Sequence, residues 1–339
     1  MKILLTGGAG YIGSHTAVEL LNSGYHVTIV DNLSNSSEQA IDRIRTITGK
    51  SPQFKKLDLL DRSGLNDLFK DNEFDAVIHF AGLKAVGESV AKPLAYYRNN
   101  LESTINLCEI MLQHGVGKLI FSSSATVYGE PERIPIDESC AVLDATNPYG
   151  RSKLFIEKIL EDLCHAEPTL RVISLRYFNP IGAHESGEIG EDPNGIPNNL
   201  LPFVSQVAVG KLKELVVFGD DYPTPDGTCI RDYIHVKDLA SGHKAALSQL
   251  DAINGMAVYN LGTGRGASVL EVIRTFEKAT GISIPFRIGP RRAGDIPVSY
   301  TDPGKALKEL GWQALHSLEE GCLDAWRWQE KNPDGFTGN

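Results

Sequence analysis

Short apolar runs rich in valine and isoleucine alternate with segments of helical spacing along the first half of the chain. The runs that predict strands are Ile3–Leu5, His26–Val30, Ala76–Phe80, Leu119–Ser122 and Val172–Leu175. Between them, apolar residues recur at intervals of three and four, the pattern of an amphipathic helix. Strands that alternate with helices predict βαβ units and a parallel sheet. Because these runs are apolar throughout, we expect helices to cover both faces of the sheet.

The pattern changes after Tyr177. Residues 179–200 are dense in Gly, Pro and Asn, and a loop of this length inside a compact domain is usually functional or mobile. Beyond it, shorter apolar runs at Leu215–Phe218 and Val258–Leu261 lie between turn-rich connections. We therefore predict two domains: a doubly wound α/β domain over 1–178 with a returning segment near 235–261, and a smaller α/β domain over 179–339.

Composition excludes several classes of protein. Of the 339 residues, 42% are hydrophobic and 22% charged, near the globular average, which excludes a disordered, collagen-like or coiled-coil chain. The net charge of −10 disfavours nucleic acid and anionic membranes as partners. No apolar run approaches the ~20 residues that cross a bilayer. The first apolar stretch is also too short for a signal peptide, so we expect a cytoplasmic protein without a membrane partner.

Cysteine and histidine spacing indicates neither a disulfide framework nor a metal site. The five cysteines are scattered and odd in number, and none forms a C-x-x-C pair. The nine histidines likewise lack H-E-x-x-H spacing. We predict no metal.

A glycine-rich loop follows the first strand directly and leads into a helical pattern. Two spacings overlap in it, Gly7-x-x-Gly10-x-x-Gly13 and Gly8-x-Gly10-x-x-Gly13. Glycines allow a tight turn and close backbone approach to a pyrophosphate, and the helix N-terminus supplies N–H groups and a positive dipole end. A glycine motif alone is weak, but this one stands in the strand–turn–helix context of a βαβ unit. It predicts a dinucleotide-binding loop rather than a ligand-free turn.

Asp31 ends the second strand, 18 residues beyond Gly13 and close to the spacing of about 20 found in dinucleotide-binding units. A carboxylate there accepts hydrogen bonds from the adenosine ribose and repels a 2′-phosphate, which favours NAD over NADP. The alternative is a turn-forming Asp at a strand end. By the same topology, Asp58, which lies between the runs His26–Val30 and Ala76–Phe80, would border the adenine.

Tyr149 and Lys153 stand one helical turn apart, at i and i+4. Asn147 is a plausible N-cap and Pro148 suits the first helical position. A phenol has an ordinary pKa of about 10, and a nearby ammonium group lowers it, so the pair can act as a general base at neutral pH. The spacing is common by chance, and its alternative is a packed Tyr beside an exposed Lys. The preceding dinucleotide loop and strands favour the catalytic interpretation.

Three serines, Ser122, Ser123 and Ser124, stand at the end of the strand predicted from Leu119. Ligands bind at the carboxyl ends of parallel strands in such folds. We therefore predict that Ser124 hydrogen-bonds a reacting hydroxyl group. A polar strand-end turn is the better interpretation of Ser122 and Ser123 from the residues alone.

Eight segments resemble the extended short-chain dehydrogenase/reductase family, and more closely its UDP-galactose 4-epimerases. In order, they are TGGAGYIGSH, HFAGLKAVGES, FSSSATVYG, PYGRSK, LRYFNP, GIPNNL, RDYIHV and RRAGD. The resemblance covers essentially the whole chain, and its motifs are highly specific. It implies a Rossmann-type doubly wound parallel sheet that binds NAD, a smaller C-terminal α/β domain that binds a nucleotide sugar, and a homodimer.

The same resemblance implies two sets of binding residues. Those for NAD are Gly7, Gly10, Tyr11, Ile12 and Gly13 at the pyrophosphate, Asp31 and Asn32 at the ribose, Asp58 and Leu59 at the adenine, Phe80, Ala81, Lys84 and Asn99 along the other half, and Ser122, Tyr149, Lys153, Tyr177 and Phe178 towards the nicotinamide. Those for the UDP-sugar are Ser124, Tyr149, Asn179, Asn199, Leu200, Phe218, Arg231, Arg292, Asp295 and Ser299. Arginine suits a pyrophosphate because its guanidinium is planar and cationic.

The implied reaction is epimerisation at C4 through transient oxidation, because the C4 hydrogen of a hexose is not acidic. Tyr149 takes the hydroxyl proton while hydride passes to NAD+, Ser124 steadies the hydroxyl, and Lys153 stabilises the phenolate. The 4-keto sugar then turns over and receives hydride on its opposite face. One alternative, a nucleotide-sugar 4,6-dehydratase, needs an acid and a base just after the serines, where Ala125 and Thr126 stand. Another is a non-catalytic NAD-binding regulator, which would be free to lose the catalytic residues.

Ser299 bears on specificity. Family members restricted to glucose and galactose commonly carry Tyr at this position, where it walls the sugar's 2-position. A smaller residue leaves room for an acetamido group, so we predict activity on UDP-N-acetylgalactosamine and UDP-N-acetylglucosamine as well. The alternative is a strand-end serine whose neighbours close the gap.

The implied homodimer would pair the helices that follow Pro93 and Pro148 with their copies. Apolar residues of these segments could form that interface or equally face the sheet. They are Leu107, Ile110, Met111, Leu154, Ile156 and Leu160.

Overall fold

Strands and helices alternate from the first residues onward. The computed structural model describes residues 1–142, 145–193, 195, 197, 199–292 and 294–338. The strands are β1 (Lys2–Thr6), β2 (His26–Asp31), β3 (Gln53–Lys56), β4 (Ala76–His79), β5 (Lys118–Ser124), β6 (Arg171–Tyr177), β7 (Asn179–Ile181), β8 (Leu215–Phe218), β9 (Ile230–His235), β10 (Gly255–Leu261), β11 (Gly266–Ser268), β12 (Phe286–Gly289) and β13 (Val298–Ser299).

The α-helices are α1 (Tyr11–Asn22), α2 (Gln39–Thr48), α3 (Arg62–Asp71), α4 (Val86–Ala91), α5 (Pro93–Tyr97), α6 (Ser103–Gln113), α7 (Pro148–Ala166), α8 (Leu200–Ala208), α9 (Val236–Gln249), α10 (Val269–Thr280), α11 (Gly304–Leu310) and α12 (Leu318–Lys331). A π-helical turn, Arg98–Glu102, joins α5 to α6. Short 3₁₀ turns lie at Ala125–Tyr128, Leu250–Ala252 and Gly335–Gly338.

Seven strands form one sheet in the order β10-β6-β5-β4-β1-β2-β3. β1 lies between β2 and β4 and is parallel to both, with Thr6 paired to Val30 on one side and His79 on the other. β2 and β3, and likewise β4 and β5, are also parallel. The chain order therefore reverses beside β1, and ligands of open α/β sheets bind at the carboxyl ends of the strands at such a point. The predicted doubly wound sheet is confirmed.

Apolar side chains from strands and helices pack into one core on this sheet. Leu4 of β1, Val77 of β4 and Phe121 of β5 meet residues of α3, α6 and α7. From sequence, six apolar residues could face either a subunit interface or the sheet. Five of them lie in this core: Leu107, Ile110, Met111, Ile156 and Leu160. The sixth, Leu154, is buried too. The five residues of this core therefore face the sheet, where burial stabilises the fold.

The chain divides into two compact units. The first comprises Met1–Gly129, Val142–Arg176 and Ala240–Tyr259, and the second Glu130–Ala141, Tyr177–Leu239 and Asn260–Asn339. Glu130–Ala141 thus lies in the second unit, although the sequence-based boundary put all of 1–178 in the first. The reason is a contact distant in sequence: Ile136 forms a parallel bridge with Thr301. The segment that returns to the first unit is shorter than the predicted 235–261.

The second unit has two small sheets and its own core. β9 pairs with antiparallel β11 and with parallel β13 and β7, and β8 pairs with parallel β12. Val204, Val217, Ile273, Phe276 and Cys322 are among the residues of its core. α10 and α12 each begin with a capping box, formed by Ser268 with Glu271 and by Ser317 with Glu320, which satisfies donors of the first helical turn.

None of the helices among the described residues combines the length and apolarity that crossing a membrane requires. In the same part of the chain, no group of three or more His, Cys, Asp or Glu side chains is placed to hold a metal ion. All five cysteines are buried free thiols.

Candidate active site

The glycine loop packs so closely that side chains are excluded at Gly7 and Gly13. Gly7 has φ +71°, and a Cβ there would lie 2.7 Å from the backbone nitrogen of Ala81. A Cβ on Gly13 would lie 2.5 Å from the Gly7 carbonyl oxygen. Gly10 is the N-cap of α1, and a Cβ added to it would lie 3.3 Å from the same oxygen and otherwise meet open space among the described residues. The positive end of the α1 dipole therefore stands at the carboxyl end of β1, where the N-cap residue Gly10 itself has no side chain.

Asp31, at the end of β2, is a buried carboxylate that ties down the glycine loop. Its Oδ2 accepts a hydrogen bond from the Ala9 N–H at 3.1 Å. Its Oδ1 accepts from the Leu33 N–H at 2.9 Å and from the Ser36 hydroxyl at 2.8 Å. All three donors are neutral. Such a group suits ribose hydroxyls and repels a phosphate.

Asn32 and Asp58 extend this edge of the site. The Asn32 amide donates to Asp58 Oδ2 at 2.9 Å, and the Leu60 N–H donates to Asp58 Oδ1 at 2.9 Å. The side chains that the sequence assigned to ribose and adenine are thus hydrogen-bonded to each other. Leu59, the residue after Asp58, is buried.

Helix α7 carries Tyr149 and Lys153 as predicted. Asn147 is its N-cap, accepting a hydrogen bond from the Gly150 N–H at 2.9 Å, and Pro148 is its first residue. Tyr149 and Lys153 are both buried. Because they are four residues apart, they lie on one face of the helix. The predicted helix start and the shared face are confirmed.

The ammonium group of Lys153 has a defined position. Its Nζ donates to the Ser122 carbonyl oxygen at 2.8 Å and lies 4.8 Å from the centroid of the Phe121 ring. Burial lowers the pKa of Lys153 to about 8, while the charge of Glu157 acts in the opposite direction. Sequence reasoning had no signal for the Ser122 contact, because the group that holds the lysine is a backbone carbonyl.

His79, at the end of β4, is neutral. It is fully buried, with its ring nitrogens 2.7 Å from the Thr6 hydroxyl and 3.0 Å from the Thr104 hydroxyl. Burial, helped by the charge of Lys153, lowers the pKa of His79 to about 3. No second cation is therefore added beside the lysine at neutral pH.

Ser124 ends β5 and is buried. Its hydroxyl oxygen accepts hydrogen bonds from the Thr126 hydroxyl at 3.0 Å and the Thr126 N–H at 3.3 Å. Since β1, β4 and β5 are parallel, Ser124 and the glycine loop lie at the same edge of the sheet. The neighbouring hydroxyl of Ser122 lies 3.5 Å from His243 Nε2.

Asn100, in the π-helical turn, is a residue that sequence reasoning missed. Its amide nitrogen donates to the Leu83 carbonyl at 3.0 Å and to the Ser152 hydroxyl at 2.9 Å. Its amide oxygen accepts from the Leu83 N–H at 2.8 Å and from Asn99 at 3.0 Å. Asn100 therefore fixes the loop after β4 to α7, next to Lys153. π-Helical turns are frequent at functional sites, but they have no simple sequence signature.

Five predicted substrate residues come together within the second unit. Asp295 accepts hydrogen bonds from Arg292 Nε at 3.1 Å and Nη2 at 3.0 Å, and Arg231 Nη2 lies 3.8 Å from Asp295 Oδ1. The Arg292 guanidinium lies 5.6 Å from the centroid of the Phe218 ring, which is 42% exposed. Ser299 on β13 pairs in register with Arg231 on β9. This cluster offers cations for a diphosphate and an exposed ring for a flat base.

The remaining predicted residues occupy loops and the ends of elements. Tyr11 and Ile12 begin α1, Phe80 and Ala81 follow β4, and Lys84 precedes α4. Tyr177 ends β6, and the Phe178 N–H donates to the Leu261 carbonyl at 3.1 Å. Asn179 begins β7 opposite Tyr233, Asn199 donates to Glu191 Oε1 at 2.7 Å, and Leu200 begins α8.

Comparisons with known proteins identify the family. A model of the NAD dependent epimerase/dehydratase family matches residues 3–262. UDP-glucose 4-epimerase of Bacillus subtilis is 61% identical over 336 residues, with 99% of each chain covered.

Two solved structures have the same fold at a TM-score of 0.96. One, UDP-glucose 4-epimerase from Bifidobacterium longum in complex with NAD+ and UDP, is 56% identical, covering 99% of this chain and 100% of that one. The other, from Stenotrophomonas maltophila with bound NAD and formylated UDP-arabinopyranose, is 51% identical, covering 98% and 99%. The chain therefore belongs to the NAD dependent epimerase/dehydratase family and, within it, to the UDP-glucose 4-epimerases.

Proposed function

We propose that the protein interconverts UDP-galactose and UDP-glucose by inverting C4 of the sugar, with NAD as its cofactor. The observation that carries this function is the buried pair Tyr149 and Lys153 on one face of α7. The relatives reported above, 51–61% identical over nearly the full length, support the same reaction.

The residues at the sheet edge fit NAD. The N-terminus of α1, capped by a glycine, suits a pyrophosphate. The Asp31 carboxylate, with its neutral donors, suits a ribose without a 2′-phosphate. Asn32, Asp58 and Leu59 would complete the adenosine end. When bound, NAD would supply the reversible hydride acceptor that oxidation and re-reduction at C4 of the sugar require.

The chain's own catalytic side chains manage the proton. Tyr149 removes the proton of the 4-hydroxyl group and returns it after the sugar has turned over. With a pKa of about 8, Lys153 is mostly cationic at neutral pH and stabilises the phenolate. Ser124 hydrogen-bonds the reacting hydroxyl, and the Ser122 carbonyl keeps the ammonium in place.

The nucleotide part of the substrate would bind to the second unit. Arg231 and Arg292 would neutralise the diphosphate, which their shared contact with Asp295 orients them to do. The exposed ring of Phe218 would stack on the uracil base. Asn179, Asn199 and Leu200 would complete this part of the site.

Conversion of UDP-galactose to UDP-glucose by the wild-type protein and by Tyr149→Phe tests the reaction. Loss of the general base should lower turnover by at least about 100-fold, whereas NAD and UDP binding remain. Wild-type-like turnover by the variant would remove Tyr149 from the role of base. A dehydrated 4-keto-6-deoxy product would indicate a 4,6-dehydratase, and no turnover by the wild type would indicate a regulator.

We further propose activity on the N-acetylated UDP-hexoses. Support comes from Ser299, whose short side chain stands in register with Arg231 of the substrate cluster. Ser299→Tyr should abolish the N-acetylated activity and largely spare UDP-galactose, because filling a formed site costs about 1–3 kcal/mol or more. Ser299→Ala is the control that keeps the space. Intact activity on both substrates in Ser299→Tyr would refute this role.

A homodimer in the cytoplasm is the proposed working form. α4, α5, α6 and α7 expose large apolar side chains: Val86, Val90, Leu94, Ile105 and Phe155. Soluble monomers rarely expose a broad apolar face, so a second copy is its proposed partner. The five free thiols are those expected in a reducing compartment.

A further inference from the structure

Glu157 and Arg176 form a buried ion pair one helical turn beyond Lys153. Glu157 is 4% exposed and Arg176 is 7% exposed. Arg176 Nη2 donates to Glu157 Oε2 at 2.6 Å, and its Nε donates to Oε1 at 3.0 Å and Oε2 at 3.2 Å. Burial alone would lower the pKa of Arg176, but the hydrogen bonds and charge of Glu157 raise it, so the guanidinium stays charged.

The same carboxylate holds two strands. Glu157 Oε1 accepts hydrogen bonds from the Ser123 hydroxyl of β5 at 2.7 Å and from the Ser174 hydroxyl of β6 at 2.8 Å. Ser123 stands between the residue whose carbonyl receives Lys153 and the serine proposed to contact the substrate. Glu157 therefore connects the helix that carries the base to the end of the strand that completes the site.

Stability alone does not account for this arrangement. Desolvation offsets much of the attraction in a buried ion pair, and an apolar pair of similar volume is often as stable. The Glu157–Arg176 pair nevertheless stands beside a buried functional cation. Its carboxylate also has hydroxyl partners from both neighbouring strands.

We propose that Glu157, with Arg176 as its counter-ion, is a positioning residue for the epimerisation, which fixes the end of β5 and balances the charge around Lys153. This inference rests on the proposed function, because it assigns Glu157 to the surroundings of the same base. Lys153 shares its helix face with Tyr149 and Glu157, and the charge of Glu157 acts on it. Its ammonium contacts the Ser122 carbonyl and the Phe121 ring of β5, neutral His79 comes from β4, and the guanidinium paired with Glu157 comes from β6.

The charge role gives a signed prediction. Glu157→Gln removes a negative charge and leaves the guanidinium of Arg176 as an uncompensated cation. Both changes disfavour the ammonium form of Lys153, so the alkaline limb of the pH–kcat profile should move down by about one pH unit. The double variant Glu157→Gln/Arg176→Gln removes both charges, and its alkaline limb should return towards the wild-type position.

The positioning role is tested by two matched deletions. Ser123→Ala and Ser174→Ala each remove one hydroxyl that donates to the same oxygen of Glu157. Only Ser123 stands at the strand end that carries the site. We expect Ser123→Ala to lower kcat by about tenfold with little change in KM, because small displacements of reacting groups are expensive. Ser174→Ala should retain kcat within about twofold of wild type.

Steady-state kinetics of the holoenzyme with UDP-galactose from about pH 6 to about pH 10 measures all of these effects. An unshifted alkaline limb in Glu157→Gln, or an equal shift in the double variant, would overturn the charge role. Equal kcat in the two serine variants would overturn the positioning role. If Glu157→Gln does not fold, the double variant, which lacks both charges, should still fold. The alkaline limb of the double variant then tests the charge role, and kcat of the two serine variants tests the positioning role. Absence of epimerisation by the wild type would instead defeat the proposed function.

Discussion

Lys153 shows how a buried position tunes a single functional group. Its ammonium donates to the Ser122 carbonyl and lies near the Phe121 ring, and burial lowers the pKa of Lys153 to about 8. A lysine of this kind remains cationic at neutral pH yet stands close to its titration point. Because burial lowers the pKa of Lys153, the free energy of unfolding should depend on pH.

Replacing Lys153 by Met should change how stability depends on pH. The pKa of Lys153 is about 8 in the native protein, against the ordinary 10.5 expected in the unfolded chain. Between these values the unfolded state binds more protons, so wild-type stability should rise with pH relative to Lys153→Met. The gap corresponds to at most about 3 kcal/mol. Below pH 8 and above pH 10.5, both states carry the same charge at this residue and the relative stability should be constant.

Urea unfolding at about pH 7 and about pH 10 compares the two proteins. Lys158→Met, at an exposed lysine of the same helix, is the control. Equal pH dependence of the wild type and Lys153→Met would contradict a depressed pKa for Lys153.

Residues that act through neighbours in sequence were predictable, and those that act through distant ones were not. Tyr149 and Lys153 are recognisable because a helix of 3.6 residues per turn places i and i+4 on one face. Glu157 falls on the same face, but its partners Ser123 and Arg176 come from two strands. Nothing in the local pattern reports such contacts.

At the level of elements, close approach specifies the junction between β1 and α1. The glycine spacing predicted this junction because only glycine permits so close an approach. An added Cβ would lie 2.7 Å from its nearest neighbour at Gly7 and 2.5 Å at Gly13. The π-helical turn between α5 and α6 was not predicted, since it depends on the partners of Asn100 rather than on residue propensity. Periodicity therefore predicted the elements better than their irregularities.

Gly13→Ala should weaken NAD binding. The new methyl group would meet the backbone of Gly7 and Gly8, so the loop would have to move. Overpacking costs about 1–3 kcal/mol, which corresponds to at least about a fivefold loss of NAD affinity. Gly87→Ala on α4 is the matched control, because a Cβ there meets nothing within 4 Å.

Titration of NAD into both variants, followed by fluorescence or calorimetry, measures the difference. Gly87→Ala should bind NAD like the wild type and be as stable or slightly more stable. Wild-type affinity in Gly13→Ala would show that the loop tolerates a side chain at that position.

At the scale of the whole molecule, the distribution of charge and the exposed apolar surface indicate two different kinds of partner, an anionic ligand and a second copy of the chain. The net charge of −10 is locally reversed where Arg231 and Arg292 both lie against Asp295. Apart from Met1, the exposed large apolar side chains among the described residues of the first unit lie on α4 to α7 instead. The interface residues considered from sequence are in the core, because helical spacing shows that a face is apolar but not which neighbour covers it.

The double variant Leu94→Glu/Phe155→Glu should be monomeric if this face joins two copies. Leu94 is 79% exposed and Phe155 is 44% exposed, so charges there should disturb association rather than folding. Leu315→Glu, at a residue of the second unit that is 74% exposed, is the control.

Light scattering coupled to size exclusion at micromolar concentration gives the masses. The wild type and Leu315→Glu should have twice the 37.0 kDa mass of the chain. A monomeric wild type, or a double variant that stays dimeric, would refute this interface.

The π-helical turn at Arg98–Glu102 also determines where the chain can change length. Such a turn is, in effect, one residue inserted into a continuous helix. Deleting a residue there would restore regular α-helical winding but rotate everything on one side by about 100°. Asn100 would then no longer reach both the Leu83 backbone and the Ser152 hydroxyl. Insertions and deletions are therefore excluded from this segment, while exposed loops such as that around Gly24 can absorb them.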